Sequence, residues 1–301
     1  MVSGATWVRP TAGERAFDGA NYAFLALFMV AIILPFVHIV SISLSPAGET
    51  GRYGIRLWPS AVTFANYAEV TRNPFIQTGY LNTIYRTVLG TAMCLIATTF
   101  GGYVLSKRYY PHRTFWTLLV VFTMFFNGGL IPTYLVVRGV GLLDSRMSLI
   151  LPQLVAAFNL IIMRNYFAAM SPELEESARM DGANTFSILF RIVLPLSAPI
   201  LATIALWVAV GHWNQWFDQL IYIQDTSKYV VQVVLRRIVL TGTQEIIDLN
   251  PASMNELTTT EVSPDGLKAA AVFFVTAPIL CVYPFIQKYF IKGIMIGSLK
   301  G

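Results

Sequence analysis

Charged side chains are scarce in this chain of 301 residues: 12% are Asp, Glu, Lys or Arg, whereas 55% are hydrophobic. Soluble domains carry roughly 25% charged residues, so the composition excludes an ordinary soluble globule. The apolar excess also excludes a disordered chain, and it argues against a nucleic-acid-binding protein despite the net charge of +5. Cys94 and Cys281 both fall in apolar stretches, where they are expected as small hydrophobic residues rather than as a disulfide framework.

The sequence also lacks the motifs that would give it catalytic chemistry of its own. A Walker A phosphate loop requires a lysine followed by Ser or Thr, and no lysine here is followed by either. None of the three histidines begins a His-Glu-x-x-His pair, and no Gly-x-Ser-x-Gly elbow occurs. We therefore expect no catalytic residue, no metal ligand and no cofactor bound by this chain.

Six long segments contain none of the four charged residue types, and they span residues 19–48, 87–106, 114–137, 147–163, 192–217 and 269–287. A charge at the bilayer centre costs about 2.5 to 3.5 kcal/mol, whereas a leucine returns only about 0.3 to 0.6. Charge-free segments are therefore the decisive signal. They predict an all-α integral membrane protein whose transmembrane domain, 19–291, has six spans at about 19–44, 79–106, 114–137, 147–167, 196–222 and 267–290.

Basic residues in the connecting segments indicate which side of the membrane each segment faces. The link between the second and third spans and the C-terminal tail contain bases but no acids: Lys107, Arg108, Arg113, Lys288, Lys292 and Lys300. Lys and Arg favour the cytoplasmic side. We therefore predict a cytoplasmic N-terminus at 1–18, a cytoplasmic tail at 292–301 and a large external loop at 223–266.

The external loop has two halves of different character. Apolar residues from Val230 to Val239 recur near helical spacing and predict an amphipathic interfacial helix. The second half is acidic, with Glu245, Asp248, Glu256, Glu261 and Asp265. It is either an ordinary solvated loop or a docking surface for an external partner.

The cytoplasmic segment 168–195, between the fourth and fifth spans, carries the most specific pattern. Ser171 at the N-cap, Pro172 at the first helical position and acidic residues behind them predict a short helix. Gly182 tolerates a positive φ and is expected to end that helix. A second short helix from Thr185 then leads to a bend at Pro195, so the segment predicts a helix-turn-helix elbow outside the lipid.

This elbow resembles the coupling segment of permease subunits in binding-protein-dependent ATP-binding-cassette (ABC) importers. Their signature is Glu-Ala-Ala, three residues, Gly, nine residues, Ile, one residue and Leu-Pro. The chain matches it at Glu176, Ser177, Ala178, Gly182, Ile192, Leu194 and Pro195. The only departure is Ser177 for the middle Ala, which replaces one small residue by another.

The resemblance implies a type I importer permease fold in a bacterial cytoplasmic membrane, with both termini cytoplasmic. In that family the elbow docks on a separate ATPase subunit, and the implied coupling residues here are Glu175, Glu176, Ser177, Ala178, Asp181, Gly182, Ile192, Leu194 and Pro195. The implied partners are a second permease, two ATPase subunits that bind ATP and Mg²⁺, an external solute-binding protein and the lipid bilayer. This chain is then a transporter subunit and not an enzyme.

The carbohydrate branch of that family is indicated by four further stretches, at 126–134, 161–166, 213–214 and 292–301. They are similar to the second permease of complex-oligosaccharide importers such as alginate and aldouronate systems. The resemblance therefore implies import of a sugar or oligosaccharide, with a uronate-containing one among the candidates. It also implies a tail that reaches between the ATPases, although the composition of the tail fits a frayed basic end equally well.

Polar and aromatic residues inside the spans are candidates for a substrate path, because polar groups are costly to bury in lipid. They are Asn82, Asn127, Gln153, Asn159, Trp213, Asn214 and Trp216. Asn127, followed by Gly128, Gly129 and Pro132, predicts a broken third helix. Helix-to-helix hydrogen bonding by the amides and an interfacial belt of tryptophans remain alternatives.

Arg86 and Asp218 lie near the outer ends of the second and fifth spans, which run in opposite directions. Their similar depth predicts an ion pair that helps to hold an outer gate, and snorkelling of each side chain to water is the alternative.

For the whole chain, the competing functions are an ion-coupled secondary transporter and a structural membrane subunit without a path. Ion coupling calls for ionisable residues deep inside spans, and the six charge-free segments offer none of the four charged types.

Overall fold

The computed structural model describes residues 11–50, 54, 57–241 and 262–298, with the backbone alone from 283 to 298. All regular structure in these ranges is helical. The helices are α1 (Ala12–Ser43), α2 (Ala47–Thr50), α3 (Ala65–Arg72), α4 (Pro74–Ser106), α5 (Arg113–Phe125), α6 (Leu130–Gly139), α7 (Ala157–Ala168), α8 (Pro172–Met180), α9 (Thr185–Ile188), α10 (Leu194–Leu196), α11 (Ala198–Asn214), α12 (Phe217–Tyr222), α13 (Val231–Thr241) and α14 (Pro264–Ser298). Short 3₁₀ turns lie at Arg146–Leu149, Leu151–Gln153 and Thr226–Lys228, and a π-helical turn at Leu189–Val193 joins α9 to α10.

Three helical stretches are individually long and apolar enough to cross a bilayer: Ala12–Ser43, Pro74–Ser106 and Pro264–Val282. Three bent pairs reach the same criterion together: α5 with α6 at 116°, Arg146–Gln153 with α7 at 51°, and Thr185–Leu196 with α11 at 79°. Counting each bent pair as one span gives up to six spans in the described residues, the number expected from the charge-free segments.

The predicted break in the third span is confirmed. Helix α5 ends at Phe125 and α6 begins at Leu130. Between them Gly129 has φ +83°, and its N–H donates to the Asn127 side-chain oxygen at 2.9 Å. Glycine adopts this backbone conformation at little cost, and Asn127 satisfies an amide that would otherwise lose its helical partner.

Two compact units divide the chain, and the smaller comprises residues up to Val70 together with Gly242–Phe274. Within its described part, the buried Asn66 side chain donates to the carbonyl oxygens of Ser43 and Ser45 at 3.0 and 3.1 Å. Gly266 packs on the same amide so closely that a Cβ there would lie 2.7 Å from its nitrogen. The buried amide thus fixes the end of α1, while most of α1 is exposed apolar surface.

The larger unit, Thr71–Thr241 with residues from Val275 onward, is organised around α4. Helices α7, α11 and α13 all pack along α4. Near its C-terminal end, Tyr103 joins Met163, Phe167, Ile188 and other residues in an apolar core. Helix α4 therefore contacts most of the elements that carry the predicted sites.

Helix α13 provides the helix predicted in the external loop, but one side of it is buried against protein, while Val239 and Leu240 are exposed. Val231, Val233 and Val234 are buried, and the Val231 N–H donates to the Thr83 hydroxyl of α4 at 2.9 Å. Of the predicted acidic half, only Asp265 lies in the described residues, where it pairs with Lys268 at 3.8 Å. The other four acids, residues 1–10 of the predicted N-terminus and residues 299–301 of the tail lie outside them.

Candidate functional site

The elbow predicted at 168–195 is present as α8 followed by α9, the π turn and α10. Ser171 occupies the N-cap of α8 but forms no cap hydrogen bond through its side chain, so the helix begins with Pro172 and the acidic first turn alone. Gly182 has φ +80°. The N–H of Gly182 donates to the backbone carbonyl oxygen of Arg179 at 3.0 Å, and the N–H of Ala183 donates to that of Ala178 at 2.9 Å. The helix therefore ends at the glycine, as predicted.

The coupling residues named from the sequence divide between two faces of the elbow. Ala178 is buried and packs in the core of Tyr103, Met163 and Phe167. Ile192 and Leu194 pack on the same core. The exposed members are Glu176, Ser177, Asp181, Gly182 and Pro195. The methyl of Ala178 thus fixes the elbow to the bundle, while the exposed set is free to meet another protein.

Glu175 faces the bundle rather than an external partner. Its carboxylate forms an ion pair with Lys107, at the C-terminal end of α4, and the two side chains are only 17% and 13% exposed. The Lys107 ammonium also lies 4.0 Å from the centre of the Tyr103 ring. One helical turn further along α8, the Arg179 guanidinium donates to the Tyr109 hydroxyl at 3.1 Å. That hydrogen bond raises the pKa of Arg179 above its ordinary value.

Exposed apolar side chains surround the exposed polar face of the elbow. Met180 is 88% exposed, Phe186 66% and Phe190 53%. Large apolar side chains exposed on a segment outside the spans are candidates for contact with another protein.

Two cavities open in the larger unit at the level of the predicted substrate path. The first, of about 350 Å³, is lined by Cys94, Gln153, Val155, Ala156, Asn159, Trp207, Val208, Gly211 and His212. The second, of about 280 Å³, is lined by Asn127, Gly129, Leu130, Thr133, Gln153, Gln215, Phe217, Asp218, Ile221 and Tyr222. Gln153 lines both, so the two cavities adjoin at its side chain.

Of the seven path residues named from the sequence, Asn127, Gln153 and Asn159 line these cavities. The other four do not line either of them. Asn82 is buried, donates to the carbonyls of Ser227 and Tyr229 at 2.8 and 3.0 Å, and accepts from Arg146 at 3.1 Å. Its amide therefore bonds α4 to loop segments, which is neither a lining role nor the helix-to-helix bonding that the sequence left open as the alternative.

The two tryptophans among the remaining candidates have other contacts. The Trp213 indole N–H donates to the carbonyl of Val275 at 3.3 Å, and its ring meets Tyr80 edge-on. The Arg236 guanidinium lies 3.9 Å from the centre of the Trp216 ring. Asn214 is exposed at the last position of α11.

Sequence reasoning about the path gave no signal for several lining residues, among them Thr133, Val208 and Gly211. Val208 and Gly211 share one face of α11 with Trp207 at helical spacing, and only that shared face relates them to the cavity. His212 lines the first cavity as well and is packed against Gly90. Which face of an all-apolar helix meets a cavity cannot be read from composition.

Arg86 and Asp218 are brought together in the structure. The guanidinium contacts both carboxylate oxygens, with Nη1 to Oδ1 at 3.2 Å and a second, shorter bond from Nη2. Nη1 also donates to the Gln215 carbonyl at 3.1 Å. With 1% and 6% exposure, neither side chain reaches out to water, so the described geometry is that of a buried pair rather than of two snorkelling side chains.

A second charged cluster lies at the opposite end of the bundle from the elbow and was not predicted. The Lys228 ammonium donates to the Asp144 carboxylate at 3.0 Å and lies 3.4 Å from Asp225. Hydrogen bonds from the backbone of Asp225 and from Lys228 lower the pKa of Asp144. The cluster fastens the turn after α6 to the loop after α12, beside the cavity that Asp218 lines.

Comparison with known proteins agrees with the elbow and the bent spans. Residues 114–296 match the family described as "Binding-protein-dependent transport system inner membrane component". The chain is 40% identical over 291 residues to Protein LplC of Bacillus subtilis (strain 168), covering 97% of each chain. It is 41% identical over 289 residues to the polygalacturonan/rhamnogalacturonan transport system permease protein YtcP of the same organism, covering 96% of this chain and 99% of the relative.

The fold has a close counterpart among solved structures. A chain in the crystal structure of a bacterial ABC transporter involved in the import of the acidic polysaccharide alginate superposes with a TM-score of 0.88 at 34% identity. The match covers 94% of this chain and 99% of that one. With its helical architecture, its coupling elbow and these relatives, the chain belongs to the family of inner membrane components of binding-protein-dependent transport systems and has the type I ABC importer permease fold.

Proposed function

We propose that this chain is the permease subunit of an ATP-driven importer that carries an acidic, uronate-containing oligosaccharide across the bacterial cytoplasmic membrane. The observation that carries the proposal is the pair of cavities joined at Gln153, lined by amides and aromatic rings inside an apolar bundle. Amides exchange hydrogen bonds with sugar hydroxyls, and aromatic faces stack on sugar rings. The named substrates of two relatives, polygalacturonan/rhamnogalacturonan and alginate, supply the acidic class.

The elbow is the docking site for an ATPase subunit in this proposal. Glu176 and Asp181 offer exposed carboxylates to cations of a partner, and Gly182 permits close approach because it has no side chain. The exposed Met180, Phe186 and Phe190 supply apolar area for the same contact. ATP and Mg²⁺ are then bound by the two ATPase subunits, and a second permease and an external solute-binding protein complete the importer.

Transport proceeds by alternating access. Closure of the ATPases moves the elbow, and because Ala178 and Glu175 fix the elbow to α4 and its core, the bundle around the cavities reorients. Such coupling requires contacts that differ between the two states. The similarity to a permease chain of a solved ABC transporter, together with the family, favours this function over the ion-coupled secondary transporter that the sequence left open.

Reconstitution tests this function directly. The chain, its second permease, the two ATPase subunits and the binding protein are placed in liposomes, and uptake of a labelled oligogalacturonate is followed. We expect uptake only with ATP and binding protein, and loss of uptake when the Walker A lysine of the ATPases is replaced. Uptake by this chain alone, or uptake driven by an ion gradient without ATP, would contradict the proposal.

A further inference from the structure

Among the described residues that line the two cavities, Asp218 is the one that belongs to the four charged types Asp, Glu, Lys and Arg. The other lining groups are amides, hydroxyls, aromatic rings, aliphatic residues, Cys94 and His212. Asp218 is 6% exposed and both of its carboxylate oxygens bond to Arg86, so the carboxylate lies within the wall of the second cavity. By itself it would repel a sugar acid strongly, because the surroundings screen charge far less than bulk water does.

Arg86 lies directly behind that carboxylate and cancels its charge. It approaches from α4, contacts both oxygens of Asp218, and is itself absent from the cavity lining. Its third contact, to the Gln215 carbonyl, holds the guanidinium against a second lining residue. The cavity therefore has a wall that contains a carboxylate but carries no net charge.

We propose that the Arg86–Asp218 pair sets the preference of the transport path between acidic and neutral oligosaccharides. This inference rests on the proposed function and goes beyond an outer gate, because a gate alone would act on every substrate equally. The paired wall admits a uronate. Removal of the cation leaves an uncompensated negative wall that rejects uronates, and removal of the carboxylate leaves a positive wall that attracts them. Neutral sugars of the same length respond to neither change in charge.

The test compares two substrates that differ only in charge, an oligogalacturonate and its fully methyl-esterified form. Initial uptake of each is measured in the reconstituted importer, and the acid-to-ester ratio is divided by that of the wild type. The binding protein is the same throughout, so its own preference cancels. The variants are Arg86→Gln, Asp218→Asn, the double variant and Arg86→Lys, which preserves the positive charge.

We expect the normalised ratio to fall about tenfold in Arg86→Gln and to rise about tenfold in Asp218→Asn, because one unit charge a few ångströms from another at an effective dielectric of about 20 is worth at least that factor. The double variant and Arg86→Lys should return close to the wild-type ratio even if total uptake is reduced. A ratio that stays constant in both single variants overturns the inference, because the pair is then only structural.

The normalised acid-to-ester ratio can still be measured when a variant assembles poorly, because both substrates pass through the same population of importers. If one single variant yields no importer, the other single variant decides, because an acid-to-ester ratio equal to that of the wild type overturns the inference. Wild-type importers that carry neither substrate would refute the proposed function itself, and this inference with it.

Discussion

Single glycines determine how closely the helices around α4 approach one another. A Cβ at Gly90 would lie 2.5 Å from the His212 imidazole nitrogen of α11, and one at Gly102 would lie 3.0 Å from the Met163 side chain of α7. At Gly79 the Cβ would meet the Val231 backbone at 3.1 Å. Small residues at such crossings let membrane helices pack backbone against backbone, so these three positions hold α7, α11 and α13 on one helix.

Gly90→Ala should therefore destabilise the bundle. The new methyl overlaps His212, whose ring is buried and bounds the larger cavity. Overpacking of this kind costs about 1 to 3 kcal/mol, which thermal unfolding of the purified importer in detergent would register as a lower Tm. Gly211→Ala is the matched control, because a Cβ there meets nothing within 4 Å. It should leave the Tm unchanged or raised, and an equal loss in both variants would contradict the close-packing account.

Residue types in the sequence predicted some of these roles and not others. The Arg86–Asp218 contact followed from two charges at similar depth on antiparallel spans. Asn82 and Asn159 could not be separated in that way, since both are amides in apolar surroundings. One bonds to the loop carbonyls and the other lines a cavity, and only the direction of each side chain in three dimensions distinguishes them.

Among the helices, α4 connects the two ends of the bundle. Lys107, at the C-terminal end of α4, pairs with Glu175 of α8, and Arg86, in the N-terminal half of α4, pairs with Asp218 of α12. These two cations are 21 positions apart, which corresponds to about 32 Å at 1.5 Å per residue. A helical segment of that length, held near each end by a largely buried ion pair, would transmit a displacement of the elbow to the cavity wall.

Loss of the Lys107–Glu175 pair should uncouple ATP hydrolysis from transport. In Glu175→Gln the elbow keeps its helix, but α4 no longer follows it, so uptake per ATP hydrolysed should fall severalfold, as expected when an ion pair of about 1 to 3 kcal/mol is removed. The reversed pair, Lys107→Glu with Glu175→Lys, should recover part of that ratio. Recovery would be incomplete because the contact of Lys107 with the Tyr103 ring is lost.

The control for this element is Glu173→Gln, in the same first turn but exposed. It should leave uptake per ATP close to the wild-type value. If Glu175→Gln behaves like this control, or if the reversed pair performs no better than either single change, the ion pair does not carry the coupling.

The turn at Gly182 is the second place where the elbow can be tested. Its φ of +80° costs about 1 to 2 kcal/mol for most side chains but little for Asn. Gly182→Leu should therefore distort the end of α8 and also obstruct the docked ATPase, which lowers both substrate-stimulated ATP hydrolysis and uptake. Gly182→Asn should retain more of each. Undiminished coupling in an assembled Gly182→Leu importer would contradict the docking role of the elbow.

For the whole molecule, charge-free segments predicted the number of spans but not their shape. Three of the candidate spans are bent pairs. Two of the bends had a local signal: the Gly-Gly-x-x-Pro pattern after Asn127, and Pro195 before the 79° bend that leads into α11. The 51° bend before α7 was not predicted, because the charge-free segment around it was interpreted as one continuous span.

The orientation of the whole chain follows from its basic residues and remains a prediction. Lys107, Arg108 and Arg113 lie in one short turn between α4 and α5, and the positive-inside tendency places that turn, with the elbow beside it, in the cytoplasm. The loop that contains Asp225 and Lys228 is then external. The assignment matters because an external elbow could not meet an ATPase.

Reporter fusions determine this orientation independently of transport. Alkaline phosphatase depends on disulfides and matures only in an oxidising compartment, so fusion after Lys228 should give high activity and fusion after Tyr110 almost none. A fluorescent protein that folds only in the cytoplasm should give the reverse pattern at the same two positions. High phosphatase activity after Tyr110 would place the elbow outside. It would remove the physical route by which ATP closure reaches α4, whatever the family of the chain.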